Sequence, residues 1–231
     1  MKTVVITGAN RGIGLGFTES YLKNGWCVIA LTRQGLNTEF LAGLSEQLKQ
    51  NLYEVNVELE DEISIIRAAK KIMTLCKHID LFINNAGVSL DQSFGCWTQA
   101  AFVKSYQINA VAPALFIQAL EYHFNENSQV IQLTSGLSSI DNCINPLGPF
   151  DAYSMSKSAL NMLTRRVAKK FESQKITVCA VSPGWVSTDM GGEDAPMSVE
   201  QAVPLLINTI ANLTIAQSGG CFDEQGNEIA W

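Results

Sequence analysis

The chain has 231 residues, 47% of them hydrophobic and 16% charged. That composition excludes a disordered or low-complexity chain and suffices to bury a full core without disulfides or a structural metal. Sixteen Lys and Arg against 22 Asp and Glu give a formal charge of −6, which argues against nucleic acid or an anionic membrane as partner but leaves room for a local cationic pocket.

Short apolar runs alternate with longer helical patterns from end to end. The run Thr3–Thr7 reads as a buried strand and stops at Gly8, too soon for a signal h-region. A helix is predicted over Gly14–Lys23, a strand over Cys27–Thr32, and helices over Thr38–Gln50 and Asp61–Lys77. Leu81–Ile83 is the next strand, followed by a long helix Thr98–Phe124, the strand Gln129–Thr134 and the helix Ala152–Ser173. Thr177–Val181, a helix from Ser198 to about Asn212 and a last short strand in Gly219–Phe222 complete the order. Strands separated by helices imply right-handed crossovers and a parallel sheet covered on both faces. The expectation is one α/β domain over 1–231, a Rossmann-type doubly wound sheet. No stretch reaches the length of a spanning helix, so a cytoplasmic protein is expected. The six cysteines show no C-x-x-C pair and no metal-ligand spacing; they read as reduced thiols, and no metal site is expected.

The first strand runs into Thr7-Gly8-Ala9-Asn10-Arg11-Gly12-Ile13-Gly14 and then a helix. Glycines are needed where the backbone turns sharply and where a side chain would block a pyrophosphate. The helix N-terminus offers free N–H groups and a positive dipole to phosphates. The spacing Gly-x-x-x-Gly-x-Gly is one residue wider than the usual dinucleotide fingerprint, but the strand–turn–helix context is right.

The second strand ends at Thr32-Arg33, where an acidic residue would select NAD and a basic one the 2′-phosphate of NADP. No carboxylate stands there. Arg33 and Arg11 together point to NADP(H), with NAD(H) as the alternative, because guanidinium suits phosphate through paired charged hydrogen bonds.

In the helix opened by Asp151, a candidate N-cap, Tyr153, Leu160, Val167 and Phe171 fall on one stripe at about 100° per residue. Lys157 sits at its edge, one turn from Tyr153. A lysine on an inward face is either snorkelling past its neighbours or paired with a partner. Tyrosine near pKa ~10 is a poor acid–base catalyst unless a cation lowers that value. A reducible carbonyl also wants a second donor, and Ser135 lies at the carboxyl end of its strand, the edge where such sheets bind ligands.

These residues resemble the short-chain dehydrogenase/reductase family over essentially the whole chain. Thr7-Gly8-x-x-x-Gly12-x-Gly14, Asn84-Asn85-Ala86-Gly87, Asn109, Ser135, Tyr153-x-x-x-Lys157 and Pro183-Gly184 occur in the family's order. The segment Pro183-Gly184-Trp185-Val186-x-Thr188-Asp189-Met190-Gly191-Gly192 is similar to the C-factor and sniffer branch of carbonyl reductases. The resemblance implies an NADPH-dependent oxidoreductase acting on a small carbonyl or alcohol substrate, with Tyr153 as general acid/base and Ser135 polarising the carbonyl. Lys157 would lower the tyrosine pKa and hold the nicotinamide ribose, and Asn109 would keep a water in the proton relay. Asn10 and Ile13 complete the phosphate turn. Asn56 and Val57 would meet adenine, Asn85, Ala86 and Gly87 would line the adenosine side, and Pro183, Gly184, Val186 and Thr188 would border the nicotinamide. The alternative role is that of a nucleotide-binding signalling protein of the C-factor kind.

The interval from Ser135 to Tyr153, 18 positions, is long for the family. It puts an insertion in Gly136–Phe150 and makes Ser138 or Ser139 alternatives to Ser135. Trp185 is the candidate substrate-pocket residue, and Met190–Pro196 a candidate lid. His78 and His123 read as surface or structural. Phe102, Val103, Phe116 and Leu163, on the two long helices, are expected to pair copies into a homodimer, with a tetramer as the alternative.

Overall fold

The computed structural model describes residues 1–231. Strand β1 (Thr3–Thr7) leads into α1 (Gly12–Lys23), then β2 (Cys27–Thr32), the short α2 (Thr38–Gly43) and α3 (Glu46–Lys49), and β3 (Leu52–Asn56). There follow α4 (Glu62–Leu75), β4 (Ile79–Asn84), α5 (Gln99–Tyr106), α6 (Ala112–Leu120) and β5 (Phe124–Leu133). The chain closes with α7 (Asp151–Phe171), β6 (Thr177–Val181), α8 (Val199–Asn212) and β7 (Cys221–Phe222).

All seven strands pair in parallel, in the order β3-β2-β1-β4-β5-β6-β7. Strands covered on both faces need continuous apolar runs rather than alternation, and every residue of β1, β2 and β6 is buried. Alternate side chains feed two cores. Val5 and Ile29 join Ile65 and Ile72 of α4, Phe116 of α6 and Val167 and Phe171 of α7. Val4, Ile6 and Val28 join Phe17 and Leu22 of α1 and Val203, Leu206 and Ile210 of α8. The chain builds outward from β1 to β3, then returns to lay β4 on the other flank of β1. The crevice at that reversal, outside the carboxyl ends of β1 and β4, is where such sheets receive ligands.

Five elements differ from the sequence expectation, each for a local reason. Strand β3 has no apolar run because it is the sheet edge, with only Val55 buried. The predicted helix Thr38–Gln50 is broken, Asn37 capping its first half and Ser45 recapping its second. The predicted helix Thr98–Phe124 is interrupted by a π turn at Gln107–Val111; Pro113 has no N–H for the carbonyl four residues back, so a regular α register cannot run through it. Phe124 belongs to β5, whose first half carries the exposed Asn125, Glu126 and Asn127 and so hides the strand pattern. The N-cap of α7 is Phe150, and Asp151 is its first helical residue, where its charge still favours the helix dipole. Phe116, expected on a pairing face, is fully buried with its ring 5.9 Å from that of Phe82.

Candidate active site

The carboxyl ends of β1, β2, β4, β5 and β6 surround one cleft of ≈ 530 Å³. Its floor begins at the first turn. Gly8 and Gly12 hold φ of +64° and +51°, a region open to glycine at little cost. A Cβ on Gly14 would stand 2.1 Å from the Gly8 carbonyl oxygen, so no other residue fits there. Helix α1 starts with no side-chain cap and no acidic residue in its first turn. Its leading N–H groups therefore remain unpaired by side chains and face a site with positive dipole. That donor set fits a phosphate.

The turn after β4 is stapled to this one. Thr7 Oγ1 accepts from the backbone N–H groups of Asn85 and Ala86, both at 3.0 Å, and Asn85 Nδ2 donates to the Thr7 carbonyl at 2.8 Å. Gly87 comes next, and a Cβ there would lie 3.2 Å from Asn109 Oδ1 and 3.4 Å from Lys157 Nζ. Asn109, fully buried in the π turn, donates from Nδ2 to the Val88 carbonyl and to Ser156 Oγ and accepts from Val88 N–H. Both ends of its amide are committed, so its side chain holds the post-β4 loop against α7. A π turn of this kind often marks a functional position.

Tyr153 and Lys157 sit on the first two turns of α7. Lys157 is 3% exposed. Its ammonium donates to the Leu133 carbonyl at 2.7 Å and lies 5.8 Å from the centre of the Tyr153 ring, a cation–π distance. Burial pulls the lysine down to about 8. Tyr153 goes the other way, pushed up to about 12 chiefly by burial; the opposing Ser135 hydroxyl lowers it and the charge of Asp91 raises it. The sequence expectation had Lys157 lowering the phenol. In this geometry the ammonium rests on the ring, and burial dominates the hydroxyl.

Ser135 caps the 3-10 turn after β5, its Oγ accepting from Leu137 N–H at 3.2 Å. The two alternative serines point elsewhere: Ser138 Oγ accepts from Asn161 Nδ2 at 2.8 Å, and Ser139 Oγ donates to the Ala230 carbonyl at 2.7 Å. Both are buried.

Of the residues singled out from sequence, Gly8, Asn10, Arg11, Gly12, Ile13, Gly14, Arg33, Val57, Asn85, Ala86, Gly87, Tyr153, Lys157, Pro183 and Thr188 line the cleft. Asn56 does not; its Nδ2 donates to the Arg33 carbonyl at 2.7 Å and fixes the strand end that carries Arg33. Gly184 and Val186 lie outside the lining, Val186 buried beneath the loop. Trp185 is 57% exposed, with Nε1 donating to the Gly191 carbonyl at 2.7 Å. Arg11 is ion-paired with Asp189 across the mouth of the cleft. Sequence reasoning missed Gln34, Glu58 and Asp189, which also line it, as does Met190, the first residue of the candidate lid. Of the three, only Asp189 lay inside a motif already in view.

A parallel sheet with a glycine-cradled helix N-terminus at its switch point, and a tyrosine paired with a buried lysine in the same crevice, defines a nucleotide-binding α/β protein of Rossmann type. Residues 2–198 match the family model described as short chain dehydrogenase, and the chain belongs to that family of oxidoreductases. It is 35% identical over 156 residues to the C-signal protein of Myxococcus xanthus, covering 66% of this chain and 93% of that one. The NADPH-bound carbonyl reductase from chicken fatty liver superposes with a TM-score of 0.90 at 31% identity, covering 100% of this chain and 99% of that one. The carbonyl reductase Sniffer of D. melanogaster does so at 0.89 and 26% identity, with both chains covered fully.

Proposed function

We propose that the protein is an NADP(H)-dependent carbonyl reductase for a small aldehyde or ketone. The observation that carries this reading is the convergence in one cleft of the glycine-cradled α1 terminus with Tyr153 and Lys157; Ser135, outside the lining, reaches the site through its hydroxyl at Tyr153. A reduced nicotinamide bound there supplies the hydride. The chain's own residues supply the rest.

Tyr153 is the proton donor. A phenol held near 12 is fully protonated at neutral pH, which suits an acid that must give a proton to a developing alkoxide. Ser135, opposite the phenol, holds the same oxygen by a second hydrogen bond and stabilises charge as it appears. Lys157, at about 8, sits close enough to neutrality to exchange protons, and its ammonium stabilises the phenolate left after transfer. Pro113 has no N–H to offer the Asn109 carbonyl, and we assign that carbonyl as the acceptor for a relay water.

At the other end, Arg33 and Arg11 supply charge for a 2′-phosphate. Arg11 is shared with Asp189, so Arg33 is the principal clamp. We also assign a homodimer formed through α5 and α7, whose Val103, Tyr106, Met155 and Met162 are exposed.

A carbonyl panel with NADPH or NADH, followed by loss of nicotinamide absorbance, tests the reading. Reduction of at least one neutral aldehyde or ketone with preference for NADPH is expected. Tight NADPH binding with no turnover on any member would overturn it, in favour of the nucleotide-sensing role that the likeness to C-signal suggests.

A further inference from the structure

Three loop segments follow the strands whose ends form the cleft: Val88–Thr98 after β4, Gly136–Phe150 between Ser135 and Tyr153, and Gly184–Ser198 after β6; the first and third contribute Val88, Thr188, Asp189 and Met190 to its lining. None of them contains Lys, Arg or His, while together they carry Asp91, Asp141, Asp189, Glu193 and Asp194. The same segments leave large apolar side chains uncovered, Phe94, Trp97, Leu147 and Trp185 among them. The cations that line the cleft are accounted for: Lys157 beneath the Tyr153 ring, Arg11 paired with Asp189, and Arg33 at the end of β2.

Asp91 stands out because its place is fixed. Three residues before it, Val88 lines the cleft and is tied through both backbone groups to Asn109. One residue after it, Gln92 N–H donates to the Pro149 carbonyl at 2.9 Å, just ahead of the helix that carries Tyr153. The exposed carboxylate accepts from Ser89 Oγ and has no cationic partner. These two anchors hold the carboxylate at the rim between the Val88 wall of the cleft and the start of the Tyr153 helix.

We propose that Asp91 is a specificity-determining residue that repels anionic carbonyl compounds, making the substrate class neutral or cationic carbonyls with an apolar body. The inference rests on the carbonyl-reductase reading and narrows it. A carboxylate on the substrate would enter a rim with no free cation, next to a fixed like charge; an aromatic or aliphatic body would meet Trp97, Phe94 and Trp185. Two unit charges several ångströms apart at a partly wetted surface repel enough to cost roughly 10-fold in kcat/KM.

The test uses benzaldehydes matched in shape and differing in one para group, carboxylate or carboxamide, with the NADPH-saturated protein. Wild type should favour the carboxamide by about 10-fold, and 0.5 M salt should narrow the gap. Asp91→Asn, an isosteric change at an exposed site, should raise kcat/KM for the carboxylate by most of that factor and leave the carboxamide nearly unchanged. Binding read by tryptophan fluorescence gives the same ratio without turnover. Equal discrimination by wild type and Asp91→Asn, or preference for the carboxylate, would overturn the proposal. A pair that binds with the expected charge ratio yet is not reduced would support Asp91 as the selector and overturn the carbonyl-reductase reading alone.

Discussion

The two ends of the cleft are built in opposite ways. The end at β1 and β2 is made of backbone: glycines at positive φ, an uncapped helix terminus and a threonine hydroxyl tying two turns together. The end beyond Tyr153 is made of three exposed loops carrying acids and aromatics. Backbone recognition demands particular residue types at fixed spacings, because only glycine fits and only a helix start supplies the donors. Loop recognition rests on shape and charge, which many sequences can supply. The first end therefore suits a ligand that many sequences share, and the second is where the proposed function places the choice of substrate.

The sharpest way to break the first end is Gly14→Val. A branched side chain where a Cβ already meets the Gly8 oxygen at 2.1 Å should cost on the order of 3 kcal/mol in stability and abolish NADPH binding by calorimetry. Its counterpart on the open rim, Trp185→Ala, removes no buried contact and should leave that binding intact.

The seam between the two ends is read by pH. Lys157 is depressed from 10.5 to about 8 in the folded chain, so between those values the unfolded chain binds the extra proton and stability rises with pH. Relative to Lys157→Met, wild type should gain roughly 2 kcal/mol between pH 7 and 9.5 in urea unfolding. A difference that stays flat across this window would mean that the ammonium is not desolvated.

Smaller effects sharpen the cofactor end. Arg33→Ala should weaken NADPH about 10-fold and NADH far less; equal losses would assign Arg33 to the fold. Asn56→Ala, which frees only the Arg33 carbonyl, should cost about 1 kcal/mol and shift NADPH affinity by less than Arg33→Ala does.

The same contrast decides what the sequence could reveal. The Gly8–Gly14 turn and the Tyr153–Lys157 pair were legible because their chemistry fixes both residue type and spacing. The sheet was legible wherever both faces are buried, as in β1, β2 and β6, and failed at the half-exposed edge β3. Arg11 looked free for a phosphate because its partner Asp189 lies 178 positions away. Asn56 gave no hint of its partner, since its amide is turned onto the Arg33 carbonyl 23 positions away. Asp91 gave no signal at all, since one aspartate in a polar loop is ordinary until the fold ties that loop to Asn109 and to Pro149 ahead of the Tyr153 helix.

The central claim is that Tyr153 delivers the proton in an NADPH-dependent reduction, and steady-state turnover of Tyr153→Phe on the best carbonyl of the panel tests it most directly. The phenyl ring keeps the packing against Lys157 and removes only the hydroxyl, so NADPH affinity should stay near wild type. kcat should fall by on the order of 10²-fold or more. Turnover at the wild-type rate would contradict the account.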